Sequence, residues 1–117
     1  MAKIDFSRAR MMHRNWRSQL RQFLNGAKTT LTEIEVLSHE DCQLGKWLYN
    51  EGLIVYEALP EIRRLESLHV RLHNHARVYM DLKKAGNTVL LDREWKRIET
   101  LSEEILALLT EIEKKEK

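Results

Sequence analysis

The spacing of the larger apolar residues limits how this chain can fold more than any other feature of its sequence. In three long segments these residues recur every three or four positions, which places them along one face of an α-helix. The segments run from Ile4 to Leu24, from Pro60 to Gly86, and from a start between Thr88 and Asp92 towards the end of the chain. Four glycines and one proline are too few turn residues for a protein of many strands, so an all-α fold is predicted.

A shorter helix is predicted across Cys42 to Asn50, with a cap-like stretch over Ser38 to Asp41 before it and Gly52 ending it. The preceding residues, Ala27 to Leu37, are interpreted as a linker with about one helical turn. Within them Thr30-Leu-Thr-Glu33 has the form of a capping box, but the β-branched residues around it weaken the case for a helix.

The length of the chain suffices for one hydrophobic core and is too short for two ordinary ones. We therefore expect a single domain over residues 1–117, with its motifs in about residues 6–80 and a packing helix over 88–117. The expected architecture is a small antiparallel helical bundle of four main helices, one of them short.

Charge and cysteine content exclude several classes of function. The 20 basic and 18 acidic residues are interspersed, so no field of one sign is available for a nucleic acid backbone. No apolar run approaches the ~20 residues of a membrane-spanning helix, and the amino terminus lacks the apolar core of a signal peptide. We therefore expect a cytoplasmic chain that neither binds nucleic acid nor inserts into a membrane. The single cysteine allows no internal disulfide.

Three histidines and this cysteine lie where side chains should be buried. His13 borders the apolar face of the first helix, and Cys42 lies in the first turns of the short helix. His69 and His73 share one side of the helix that begins at Pro60. Burying a polar group without a partner costs ~1–3 kcal/mol, and a shared metal ion would remove that cost. Histidines four residues apart can reach one ion, and a Cys/His₃ set suits tetrahedral Zn²⁺, so a buried zinc site is predicted.

Each of these residues has a simpler interpretation when taken alone. A lone histidine on an apolar face is usually a hydrogen-bonded core residue, and a single cysteine is often buried for packing. Trp16, Trp47 and Trp95 are more typical of core packing than of a ligand set. The joint pattern is stronger evidence than any of its members.

The residues alone leave the fourth ligand open. His39 lies three residues before Cys42 and could chelate with it on one helical turn, in place of His13. His75 lies two residues after His73 and therefore faces elsewhere.

Three motifs make the pattern specific: His13-x-x-Trp16, Cys42-x-Leu44-Gly45-x-Trp47-Leu48 and His69-x-x-x-His73. In order and separation they resemble the chemoreceptor zinc-binding (CZB) domain family, over roughly residues 6–80 of the chain. The resemblance implies a bundle of four main helices that holds one zinc ion through His13, Cys42, His69 and His73. His39 and His75 have no counterpart in the motifs and are expected on the surface or behind the ligands.

The resemblance also implies a regulatory role. Domains of this family are usually attached to a bacterial chemoreceptor signalling region or to a diguanylate cyclase, and they often work as homodimers. They regulate that partner, and hence chemotaxis or cyclic-di-GMP output, according to zinc or oxidant level. This chain contains neither a long heptad-repeat hairpin nor a cyclase domain, so it is expected to be a stand-alone member or an excised part.

Four protein ligands would leave no coordination position for water, so we expect a sensor and not a zinc enzyme. Zinc would hold Cys42 as the thiolate that oxidants attack first, and protons would compete for every ligand. Loss of zinc or oxidation of the thiol would rearrange the bundle, a change that a partner reads. Trp16, Gly45 and Trp47 are expected to support the site, Gly45 by allowing close approach and Trp47 by anchoring the short helix.

Other functions fit parts of the same pattern. A hemerythrin-like di-iron bundle needs additional carboxylate ligands at helical spacing, for which Glu66-x-x-His69 is the single candidate pair. A metal-free interaction module is the main alternative, because the last helix, with Glu and Lys interleaved, suits a partner helix. A zinc enzyme is the third, and it would need a vacant coordination position.

Overall fold

Three long helices form the body of the protein. The computed structural model describes residues 6–26, 29 and 31–116. In it α1 spans Phe6–Leu24, and we number the other two long helices α5 (Pro60–Lys84) and α6 (Thr88–Glu116) by their order in the chain. No strand occurs within these described ranges. The predicted all-α class and the three long helices are confirmed.

The ends of the long helices follow ordinary rules of sequence. Pro60 is the first helical residue of α5, where its missing N–H and fixed φ cost nothing. Gly26 and Gly86 lie just past the ends of α1 and α5 with φ of 85° and 74°, a left-handed conformation that glycine adopts at low cost. Only residues 85–87 connect α5 to α6, so these two helices pack side by side as an antiparallel hairpin.

The linker predicted before the cysteine contains a defined short helix, α2 (Glu33–Leu37). Its capping box consists of Thr32 and Glu35: the Thr32 hydroxyl accepts the Glu35 N–H, and the Glu35 carboxylate accepts the Thr32 N–H. The predicted box was placed two residues earlier, and its first member, Thr30, lies outside the described residues.

The short helix differs from its predicted bounds. Helical structure runs from residue 43 to 55, as α3 (Gln43–Trp47), a π-helical turn (Leu48–Gly52) and α4 (Leu53–Val55). We call this run the helical segment 43–55. Gly52 does not end it, because its φ of −58° is that of a right-handed helix. A Cβ there would lie 3.1 Å from the Trp47 ring, so glycine supplies space at this position and not a stop.

The core lies between α5, α6 and α1, with the short elements closing one side. α1 packs against α6 and α3, and α2 packs against α5. Fully buried apolar side chains come from every long helix and include Leu20, Leu65, Leu72, Ile98, Ile105 and Leu109. In the described part of the chain, no helix combines the length and the hydropathy that crossing a bilayer requires.

Candidate metal centre

Cys42, His69 and His73 meet in the interior, with 2%, 1% and 2% of their surface exposed. The His69 Nε2 lies 3.2 Å from the Cys42 Sγ and 3.2 Å from the His73 Nε2. One ligand atom from each residue falls within 4.8 Å of the other two. Atoms bound to one tetrahedral zinc ion are about 3.3–3.6 Å apart, given metal–nitrogen and metal–sulfur bonds of about 2.0 and 2.3 Å. The two 3.2 Å separations are therefore close to those around a shared metal ion, while the group as a whole extends to at most 4.8 Å.

Cys42 is the N-cap residue of the helical segment 43–55. Its Sγ accepts the backbone N–H of Gly45 at 3.2 Å, and its own carbonyl accepts the N–H of Lys46. Burial raises the pKa of the Cys42 thiol to about 11, against the backbone N–H groups of Gly45 and Leu44, which lower it. A bound cation would reverse this balance, because a coordinating thiol is deprotonated.

Gly45 allows the chain to close over this sulfur. A Cβ at this residue would lie 1.8 Å from the His39 carbonyl oxygen and 3.2 Å from the His69 Cε1. No real Cβ approaches a backbone oxygen so closely, so any larger residue forces the backbone apart. The groups that a side chain here would meet are the His39 backbone and the His69 ring.

A carbonyl group fixes the orientation of His73. The Nδ1 of His73 donates to the Val36 carbonyl of α2 at 2.7 Å, since a carbonyl can only accept. The Nε2 of neutral His73 is then unprotonated and directs its lone pair at His69. A proton on the His69 Nε2 could serve either the His73 nitrogen or the Cys42 sulfur, whereas one cation would serve all three atoms. Among the residues that the structure describes, no partner forms a hydrogen bond to the buried His69 Nδ1.

Burial keeps the histidines of this region neutral. It lowers the pKa of His13 and of His73 to about 4, and for His73 the Val36 carbonyl opposes the effect. It lowers the pKa of His69 well below its ordinary value, and the neighbouring His73 and His13 lower it further. Neutral imidazole is the form that binds metal, so the lone pairs are available at neutral pH.

Trp16 packs against two of the predicted ligands, His73 and His13. Its ring centroid lies 4.9 Å from that of His73 and 6.1 Å from that of His13, and its Nε1 donates to the Glu35 carbonyl at 3.0 Å. Trp47 lies farther along the helical segment 43–55 and meets the Phe6 ring edge-on at 5.7 Å. Trp16 therefore contacts the site, while Trp47 attaches the segment to the start of α1.

His13, the remaining predicted ligand, is buried but does not belong to the group of converging ligand atoms. Its Nε2 lies 2.7 Å from the hydroxyl of Ser102, a completely buried residue of α6. The structure thus brings three of the four predicted ligands together and places the fourth against another helix.

The two other histidines differ in their relation to the site. The His39 ring meets the His69 ring edge-on at 6.3 Å, and its side chain is partly exposed beside Glu40. His75 faces the other side of α5, where its Nδ1 pairs with the buried Glu94 of α6. His39 therefore lies next to His69, one of the predicted ligands, and His75 belongs to the α5–α6 contact.

Two partners of the histidines were not found from the sequence. Val36 contributes a backbone carbonyl, for which side-chain patterns give no signal. Ser102 did leave a signal, because it occupies an apolar position of α6, four residues after Ile98 and three before Ile105. A polar residue inside such a stripe indicates a buried polar partner.

The fold and the site define an all-helical protein with a buried group of one thiol and two imidazoles, the donor set typical of zinc. A comparison with known protein families points to the same class of protein. The sequence model of the chemoreceptor zinc-binding domain family matches residues 13–80, more than half of the chain, and the chain belongs to this family. The resemblance seen in the motifs is thereby confirmed. No curated protein and no solved structure matches the chain.

Proposed function

We propose that this chain binds one Zn²⁺ through His13, Cys42, His69 and His73, and that it acts as a regulatory zinc-binding domain. The observation that carries the proposal is the convergence of the Cys42 Sγ with the Nε2 atoms of His69 and His73 in a buried site. Membership of the chemoreceptor zinc-binding domain family supports zinc as the metal. His13 is the histidine that α1 could contribute as the fourth ligand.

Zinc bound there would supply a positive charge that holds Cys42 as thiolate and satisfies the three imidazole lone pairs. The chain's own residues do the rest. Val36 fixes the His73 ring, and Gly45 lets the His39 backbone close over the sulfur. With four protein ligands no position remains for a reacting water, so the proposed role is regulatory and not catalytic.

Metal analysis tests the proposal directly. Protein purified without added zinc should contain about one zinc per chain, and Cys42→Ala and His73→Ala should lose most of it. His75→Ala is the matched control, because this residue lies on the same helix but pairs with Glu94. Equal metal content in the wild type and in both ligand variants would refute the site.

His13 and His39 can be separated in the same experiment. If His13 is the fourth ligand, His13→Ala should bind zinc more weakly than the wild type by an order of magnitude or more. His39→Ala should bind zinc nearly as tightly as the wild type does. The opposite ranking would assign the fourth position to His39, whose ring lies beside His69.

The metal-free interaction module makes a different prediction about stability. Zinc that binds only the folded protein stabilises it by about 2.7 kcal/mol at a concentration 100 times Kd, so a strong chelator should lower Tm. An unchanged Tm would support a metal-free module.

For the di-iron alternative, the one candidate carboxylate, Glu66, pairs with Arg63 and does not join the ligand group.

We infer that the signal is a change in zinc occupancy, with oxidation of Cys42 as a second route to zinc release. Mass spectrometry of Cys42 after hypochlorite, with zinc release followed by a chromophoric chelator, tests this route. Retained zinc with an intact thiol would rule it out.

The homodimer and a partner of the chemoreceptor or diguanylate cyclase type stay predictions from the family resemblance. Light scattering of the purified chain tests the dimer.

A further inference from the structure

The contact between His13 and Ser102 joins α1 to α6 inside the core. The His13 Nε2 lies 2.7 Å from the Ser102 Oγ, and the two residues have 2% and 0% of their surface exposed. Ser102 lies outside residues 13–80, the part of the chain that the family model matches. The Arg17 guanidinium reaches the same hydroxyl at 3.5 Å and also pairs with Glu99 and Glu103.

This contact accounts for a serine at an apolar position of α6. A buried hydroxyl needs a partner, and His13 provides one at a short distance. A hydroxyl can donate or accept, so it pairs with the Nε2 in either tautomer of neutral His13. The same bond engages a nitrogen of the one predicted ligand that stands outside the converging group.

We propose that Ser102 is a positioning residue that holds His13 away from the other ligands until zinc binds. This inference rests on the proposed function. Zinc then competes with the Ser102 hydroxyl for His13, and occupancy of the site changes a contact between α1 and α6. The last helix thereby responds to the metal although it supplies none of the proposed ligands.

Ser102→Ala tests the proposal by its effect on zinc affinity, measured by competition with a chromophoric chelator. Without the hydroxyl, His13 is no longer held in the metal-free protein, and zinc should bind about three- to tenfold more tightly, the value of one hydrogen bond. Ser18→Ala is the matched control, because Ser18 is exposed on α1 and its hydroxyl donates to the Asn15 carbonyl of its own helix. Its affinity should equal that of the wild type.

A double-mutant cycle shows whether the effect passes through His13. In a His13→Ala background, adding Ser102→Ala should leave zinc affinity unchanged, because the imidazole for which Ser102 and zinc compete is absent. An equal gain in both backgrounds would assign the effect to general packing and overturn the proposal. Weaker binding by Ser102→Ala alone would mean that Ser102 orients His13 towards the metal, which also overturns it.

Nitrogen NMR of the imidazoles provides a readout that does not depend on affinity. On adding zinc, a ring nitrogen of His13 should move to the shift of metal-bound nitrogen in the wild type and in Ser102→Ala. His13 signals that do not respond to bound zinc would overturn this inference and remove His13 from the proposed ligands, whereas zinc binding by the other residues would stand. A wild-type protein that binds no zinc would overturn the proposed function, and this inference with it.

Discussion

Gly45 sets the distance between the helical segment 43–55 and the backbone of His39. Since a Cβ at Gly45 would lie 1.8 Å from the His39 oxygen, Gly45→Ala should force these backbones apart. We expect a loss of about 2 kcal/mol or more in the free energy of unfolding, measured by urea denaturation. Zinc affinity should fall as well, because the same movement displaces Cys42.

Lys46→Ala is the control for this substitution, because Lys46 is the next residue in the same helix and its side chain is exposed. It should leave stability within about 0.5 kcal/mol of the wild type. A Gly45→Ala protein as stable as Lys46→Ala would show that the backbone here yields at little cost.

The Cys42 thiol should be slow to react in the folded, metal-free protein. Burial raises its pKa from 9.0 to about 11, which lowers the thiolate fraction at pH 8 by about 100-fold. Alkylation by iodoacetamide, followed by mass spectrometry, should therefore be at least that much slower than in the same protein unfolded in urea. Equal rates in both conditions would show that the thiol is neither buried nor shifted.

At the scale of elements, the five-residue helix α2 contributes more to the site than its length suggests. It supplies the carbonyl of Val36 to His73 and that of Glu35 to Trp16. Because so short a helix has little stability of its own, its capping box should matter for the site.

Thr32→Ala removes half of this capping box and tests the role of α2. We expect a loss of about 1 kcal/mol of stability and a measurable loss of zinc affinity, because the Val36 carbonyl would no longer hold the His73 ring firmly. Thr100→Ala is the control, since the Thr100 hydroxyl donates to the Lys96 carbonyl within α6. Equal zinc affinity in the two variants would show that α2 does not contribute to the metal site.

The long helices were predictable because each repeats an apolar face over many turns, and Pro60 and Gly86 mark the bounds of α5. The short elements were not, because tertiary contacts decide them. Gly52 looks like a helix stop in the sequence, but the Trp47 ring occupies the space where its side chain would be. α2 corresponds to the single helical turn predicted in the linker, but its capping box was placed two residues too early.

The site divides in the same way. Cys42, His69 and His73 followed from motif spacing, since two of them share one helix face and the third lies in the distinctive motif. The position of His13 against Ser102 depends on how α6 packs on α1, and no local spacing encodes that packing. The Val36 carbonyl belongs to the backbone and leaves no trace in side-chain identity.

At the scale of the whole molecule, the buried histidines predict how the stability of the metal-free protein depends on pH. His13 and His73 have pKa values of about 4 when folded, against an ordinary value of 6.5. Below pH 6.5 the unfolded chain therefore binds protons that the folded chain does not. The free energy of unfolding should fall as the pH drops from 6.5 towards 4, by up to ~1.4 kcal/mol per pH unit for each histidine.

Urea denaturation in the presence of a chelator, repeated between pH 7.5 and pH 5, measures this slope before most carboxylates titrate. At about pH 7.5 and above, a full unit over the ordinary value of 6.5, both states carry almost entirely neutral His13 and His73, so these residues add little slope there. His13→Gln should reduce the slope by up to ~1.4 kcal/mol per pH unit, the contribution of one proton, because glutamine does not titrate. A stability that stays constant from pH 7 to pH 5 would contradict the burial of these rings.

The enclosure of Cys42, His69 and His73 has a kinetic consequence under the proposed function. With at most 2% of each side chain exposed, a competing chelator cannot touch the ion while the fold is closed. Departure must then wait for a local opening, and its rate should level off as more chelator is added. Such a protein would report the average zinc supply over the lifetime of its closed state and would ignore brief fluctuations.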